Sequence, residues 1–208
     1  MELQYYGANC LRLSAKKGQI VVDDNLAKLG LKAVTKPSDI SLRTNMELPE
    51  HPETAFRAEM PGEYEVAGVV INGIAARAHM DEEGKQSAVI YTIEADDTKV
   101  AIIGHVYPNL SESQLEQIGL VDVAILPVGG NGYTLDGVGA LKIIKQIEPK
   151  VVIPTHYNDK AIKYEVPQAE LADAVKSLGM EASETTAKYK IKPAELSDST
   201  HLVILERQ

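Results

Sequence analysis

One thiol, Cys10, is all that a chain of 208 residues carries. That excludes an internal disulfide and a zinc knuckle built on cysteines. Positive charge is also scarce, with 21 Lys and Arg against 30 Asp and Glu and a net charge of −9. Such a balance argues against the broad basic surface that neutralises phosphates on nucleic acid or an anionic membrane. A solvated acidic surface is its simplest meaning. No run of about 18 apolar residues occurs, so no membrane-spanning helix is expected. The opening MELQYYGANC has no basic flank leading into an apolar stretch and does not read as a signal peptide. Long linkers and low-complexity tracts are missing too. What is present is 44% apolar and 25% charged residues, the proportions of a packed globular chain. One domain over residues 1–208, in the cytoplasm, is the expectation.

Strand-length apolar runs crowd the first half. ELQYYG, CLRLSA and GQIVVDD are separated by Gly, Asn and Lys-Lys-Gly turn residues and predict an antiparallel meander. LKAVT reads as a short buried strand, and the Pro-, Ser- and Glu-rich segment from Lys36 begins as a loop. EVAGVVINGIAARA predicts more strand, and SAVIYTIEADDTKVAIIGH a hairpin turning at Asp96-Asp97. In the second half, Ser111 and Gln114 have the spacing of a capping box, in which each side chain satisfies the other's backbone amide. VDVAILPVGG and KVVIPTH read as strands. Between them TLDGVGALKIIKQIEP predicts a helix with Leu135, Val138, Leu141, Ile144 and Ile147 on one face. A second helix, VPQAELADAVKSLG, opens near Pro167 and closes at Gly179; AKYKIK and HLVILER finish the chain as strands. A meander followed by alternating strand and helix indicates a layered α/β domain with helices outside a β core.

The order PGEYEVAGVVINGIAARAH, YTIEADDTKVAIIGH and VDVAILPVGGNGYTLDGVGALKIIKQIEPKVVIPTHY, preceded by YYGANCLRLSAKKGQIVVDD, resembles small hydrolases of the metallo-β-lactamase superfamily. The likeness runs from about Tyr5 to Tyr157. It implies an αββα four-layer sandwich with a one- or two-zinc site at the loop ends between two sheets. It also implies hydrolysis of esters, amides or phosphodiesters by a metal hydroxide.

The family's signature is Thr-His-x-His-x-Asp-His, and TKPSDIS is the stretch matched to it here. On that register Lys36, Ser38, Ile40 and Ser41 replace the four ligands, a degenerate metal motif. His79, His105 and His156 match later metal positions. His105 falls where the family has a bridging aspartate. Three imidazoles that converge would suit zinc with an open position for water. Asp23 or Asp24, at the end of the opening hairpin, resembles the buried family aspartate and would orient a ligand imidazole. Lys36, pointing where a histidine was lost, would put an ammonium at the former cation site and pair with Asp23 or Asp39.

PVGGNGYT lacks the Gly-Lys-Ser/Thr of a phosphate loop and reads as a strand-to-helix turn. His51 and His201 lie outside the matched segments, and Cys10 reads as a small core residue. Two functions follow from the resemblance. One is a diverged hydrolase of small esters, lactones or phosphodiesters that has lost most zinc ligands and keeps residual activity on His79, His105 and His156, with zinc or with no cofactor. The other is a metal-free domain, catalytically inactive, that binds a small molecule or a protein in the old cleft.

Overall fold

The computed structural model describes residues 1–208. It is a mixed α/β structure built on two facing sheets, with strands numbered here in chain order. β1 (Glu2–Gly7), β2 (Cys10–Ser14) and β3 (Gln19–Val22) form the antiparallel meander read from the sequence. β4 (Ile40–Leu42) and β5 (Phe56–Ala58) extend it in parallel, and β13 (Tyr189–Lys190) pairs with the other side of β1. The second sheet has the order β12-β14-β11-β10-β9-β8-β7-β6. Its antiparallel half is β6 (Gly62–Val66), β7 (Val69–Ala76), β8 (Ala88–Ala95) and β9 (Thr98–Ile102). The parallel half is β10 (Val123–Pro127), β11 (Val151–Thr155), β12 (Ala182–Thr186) and β14 (His201–Leu205).

Leu11, Leu13, Ile20 and Val22 of the small sheet pack against Ile71, Tyr91, Ile125 and Ile153 of the large one, forming the central core. β10 and β11 are buried at every position, because they are covered on both faces. Their outer cover is helical: α1 (Glu112–Ile118), α2 (Gly137–Ile147) and α3 (Leu171–Leu178). Over the small sheet's outer face lies the turn-rich segment after β3, whose Leu26, Leu31 and Val34 pack on Cys10 and Val21. No helix is long and apolar enough to cross a membrane.

Several local expectations hold. Ser111 and Gln114 form the capping box of α1, and Asp96 and Asp97 take the positive φ of a tight hairpin. Others change. LKAVT is not a strand; Lys32 and Ala33 are exposed residues of an irregular segment. The segment read as a loop contains β4 and β5, each only three residues and too short to show alternation. Of the face read on α2, Leu135, Ile144 and Ile147 are buried, but Val138 is 67% exposed, and Ala140 and Ile143 are buried beside them. α2 and α3 cross closely at Gly137, where a Cβ would lie 2.5 Å from Ser177 Cβ.

This topology gathers chemistry at one edge. Asp23, Thr44, His79, His105, Gly129 and His156 each lie one to three residues beyond the carboxyl end of a strand, where loops of α/β sheets commonly form ligand sites.

Candidate functional site

His156 follows β11 and has φ of +54°, a left-handed conformation that is uncommon away from glycine. Its amide donates to the Ala8 carbonyl at 2.8 Å, which ties the second sheet to the β1–β2 turn. Its Nδ1 lies 3.1 Å from Gln168 Oε1. Gln168 Nε2 donates to the Val166 carbonyl at 2.7 Å, and this fixes which way the amide points. Oε1 is therefore the acceptor, His156 Nδ1 carries the proton, and Nε2 keeps its lone pair. Gly129 is required beneath this arrangement: a Cβ there would lie 2.0 Å from Gln168 Oε1 and 2.1 Å from the His156 carbonyl oxygen.

His105, just after β9, has the opposite tautomer. Its Nδ1 lies 3.2 Å from Asn9 Nδ2. Asn9 Oδ1 accepts from the Thr155 hydroxyl at 2.7 Å, so that oxygen is already occupied. The amide nitrogen thus faces His105, whose Nδ1 accepts and whose proton sits on Nε2. That Nε2 is buried with no hydrogen-bond partner. Burial pushes His105 well below the ordinary imidazole value, with His156 and His79 adding to it, and burial pushes His156 down to about 4. Both rings are neutral near pH 7.

The two rings stand nearly perpendicular, with centroids 4.9 Å apart. Tyr133 packs against both, and Tyr164 lies 5.1 Å from His156. A cavity of about 160 Å³ is lined by these four rings together with Asn45 and Glu47. Asp23, beneath it, receives Thr44 N–H at 2.7 Å and the Thr44 hydroxyl at 2.6 Å. Burial raises Asp23 to about 6 even so.

The structure brings together only part of the expected set. His105 and His156 share the cavity, and Asp23 is held by Thr44, the residue before the cavity-lining Asn45. His79 lines a separate cavity with Tyr107 and Thr134. Asp24 is used elsewhere: its Oδ2 accepts from the amides of Val34 and Thr35 and from the Thr35 hydroxyl, all at 2.7 Å. Lys36 and Ser38 are exposed on the turn before β4, and Ile40 and Ser41 lie within β4, paired with β3 and β5. None of the four lines the cavity. Nor does the Lys36 ammonium answer Asp39, which Arg12 holds through two bonds of 2.9 and 2.8 Å. The segment that reaches the cavity is Asn45–Pro49, following Thr44. Asn9, Thr44, Asn45, Glu47, Tyr133, Tyr164 and Gln168 were not anticipated. Thr44 was accessible in the sequence, since it begins a second Thr-led stretch, TNMELPE, behind the apolar residues of β4.

Residues 2–156 match the family described as the beta-lactamase superfamily domain, and the chain belongs to that family. A UPF0173 metal-dependent hydrolase of Thermococcus onnurineus is 35% identical over 101 residues, which is 47% of this chain and 44% of that protein. A second, from Pyrococcus horikoshii, is 33% identical over 102 residues with the same coverage. The matched stretch thus spans less than half the length of these curated relatives. Among solved structures, one from Thermotoga maritima described as a Zn-dependent hydrolase of the metallo-beta-lactamase superfamily superposes with a TM-score of 0.74 at 23% identity, covering 99% of this chain and 98% of that one. A metallo hydrolase from Ignicoccus hospitalis gives 0.61 at 18% identity, covering 99% and 94%. These likenesses establish the fold.

Protein-bound zinc takes three or four ligands, each offering a lone pair. Nowhere do three His, Cys, Asp or Glu side chains stand together so as to hold a metal ion. His105 turns a protonated nitrogen outward from its bond to Asn9, His156 offers a lone pair, and the His79 ring, whose buried Nδ1 has no partner, lines a different cavity. As arranged, these residues do not fit the zinc site that the resemblance implied.

Proposed function

We propose that this chain is a metal-free member of the beta-lactamase superfamily whose cleft binds a small molecule. The observation that carries the reading is that the paired imidazoles meet opposite ends of two amides, Asn9 Nδ2 at His105 Nδ1 and Gln168 Oε1 at His156 Nδ1, which assigns a proton to His105 Nε2 and a lone pair to His156 Nε2. A dinuclear zinc site needs lone pairs from both positions. A small polar ligand needs one donor and one acceptor, which is what the pair supplies.

A change of register in the signature supports the same reading. Counted from Thr44 instead of Thr35, the ligand positions fall on Asn45, Glu47, Pro49 and Glu50. Asn45 and Glu47 line the cavity, as ligand positions should. Glu50 stands outside the cavity and pairs with Arg43 and Arg57, so an amide, one carboxylate and a proline are what this stretch turns toward the site, too few strong donors for a hard or borderline cation. Asp23 bonded to Thr44 keeps the scaffold beneath the site, and Asn9 turns that scaffold toward holding His105 as a donor.

The relatives named metal-dependent hydrolases favour a second reading, a diverged zinc hydrolase of small esters, lactones or phosphodiesters that draws on His79, His105 and His156. Elemental analysis of chelator-free protein, with melting curves in EDTA and in added zinc, separates the two. The metal-free reading expects no stoichiometric zinc and the same melting temperature in all three conditions. One tightly held equivalent of zinc, released by His156→Asn, would establish the second.

A further inference from the structure

We infer that the occupant of the cleft is a single planar six-membered ring bearing an amide edge, a ring C=O beside a ring N–H, as in a pyrimidinone. This deepens the metal-free reading and rests on it.

Size sets the first limit. A cavity of about 160 Å³ is close to the roughly 150 Å³ that accommodates one benzene ring. A fused bicyclic system or a sugar with several substituents would project beyond the cavity. Shape sets the second. Tyr133 and Tyr164 border the histidine pair, with ring centroids 5.9 and 5.1 Å from that of His156, and Tyr133 is 5.4 Å from His105. Aromatic walls at such separations suit a flat ring in stacked or edge-on contact.

Hydrogen bonding sets the third. His105 Nε2–H is a buried donor that nothing in the protein satisfies. A group of that kind costs free energy until an acceptor meets it. His156 Nε2, left free by the Nδ1 bond to Gln168, is an acceptor. A ligand that satisfies both presents a carbonyl oxygen to His105 and an N–H to His156, and a ring amide carries those two groups side by side. A carboxylate offers acceptors only and would leave the His156 lone pair unmet. Glu47 and Glu165 against Lys28 leave the lining with one net negative charge, which also disfavours an anion. A ring that is all hydrocarbon would leave both nitrogens unpaired.

The probe is uracil, compared by calorimetry with dimethyluracil, in which both ring N–H groups are methylated, and with benzoate. Uracil is expected to bind one per chain, at millimolar affinity or better. Dimethyluracil, having lost the donor to His156, should bind at least about tenfold more weakly, the cost of one unmet hydrogen bond, about 1.4 kcal/mol. Benzoate should not compete. His105→Phe should weaken uracil by a similar factor, and because the comparison of ligands needs no variant, the proposal stands or falls even if that protein does not fold. Equal affinity for uracil and dimethyluracil, competition by benzoate, or no uracil binding at millimolar concentration would each overturn the amide-edge assignment. Zinc analysis of the same preparation separates the two failures. A zinc-free protein indifferent to uracil overturns only the ligand class, whereas a zinc-loaded one overturns the reading beneath it.

Discussion

Burial holds His156 at about 4 against 6.5 for an ordinary imidazole. Between those values the unfolded chain binds a proton that the folded chain refuses, so stability falls as pH drops from 6.5 through 4. His105, also pushed down by burial, acts in the same direction. Asp23 acts oppositely: with its value raised to about 6, the folded chain holds the extra proton, and acid in that range favours folding. Because these contributions overlap, the informative quantity is the difference between native protein and His156→Asn, since asparagine tolerates the left-handed backbone. Denaturant titrations from pH 7 to pH 4 should show the native chain losing more stability than the variant, by on the order of 3 kcal/mol. Parallel curves would mean that His156 is not held neutral by burial. At the residue scale, His105 and His156 could be read from the sequence as site members, but their tautomers could not. These are set by Asn9 and Gln168, amides with no distinguishing sequence context.

β4 and the loop after it show how a short element positions a site. Thr44 leaves the strand with both its amide and its hydroxyl on Asp23, and the chain then turns Asn45 and Glu47 into the cavity. Removing the hydroxyl leaves one oxygen of a buried carboxylate short of a donor, a loss of about 1–3 kcal/mol. Thr44→Val is therefore expected to lower stability by that amount. Lys36→Ala and Ser38→Ala, on an exposed turn, should stay within about 0.5 kcal/mol. Chemical denaturation of the three variants checks this. A large loss from Lys36→Ala with none from Thr44→Val would restore the register that begins at Thr35. The reason the sequence favoured Thr35 is physical. LKAVT has the apolar, β-branched content of a strand, while β4 is three residues long and lies in a Pro- and Glu-rich stretch without periodicity. Its strand character comes from pairing with β3 and β5, which no local pattern reveals. On α2 the expected face is met by Leu135, Ile144 and Ile147, all buried, and missed at Val138, which is exposed.

Across the whole molecule, the family and its two-sheet architecture were legible because they rest on the order of many segments, each with its own periodicity and turn residues. The site rests on a few contacts between distant parts of the chain. Asn9, in the first turn, meets His105 and Thr155, which come from the ends of β9 and β11. The His156 amide closes the same junction on Ala8. Folding the two sheets together is thus what decides which nitrogen of each imidazole is protonated, and with it whether the cleft suits a cation or a polar ring. Long-range proton–nitrogen NMR correlation of the histidine side chains near pH 7 tests that directly. The account predicts His105 protonated on Nε2 and His156 on Nδ1 in protein purified without chelator. Finding both rings protonated on the same nitrogen, with both remaining nitrogens shifted by a bound metal, would contradict it.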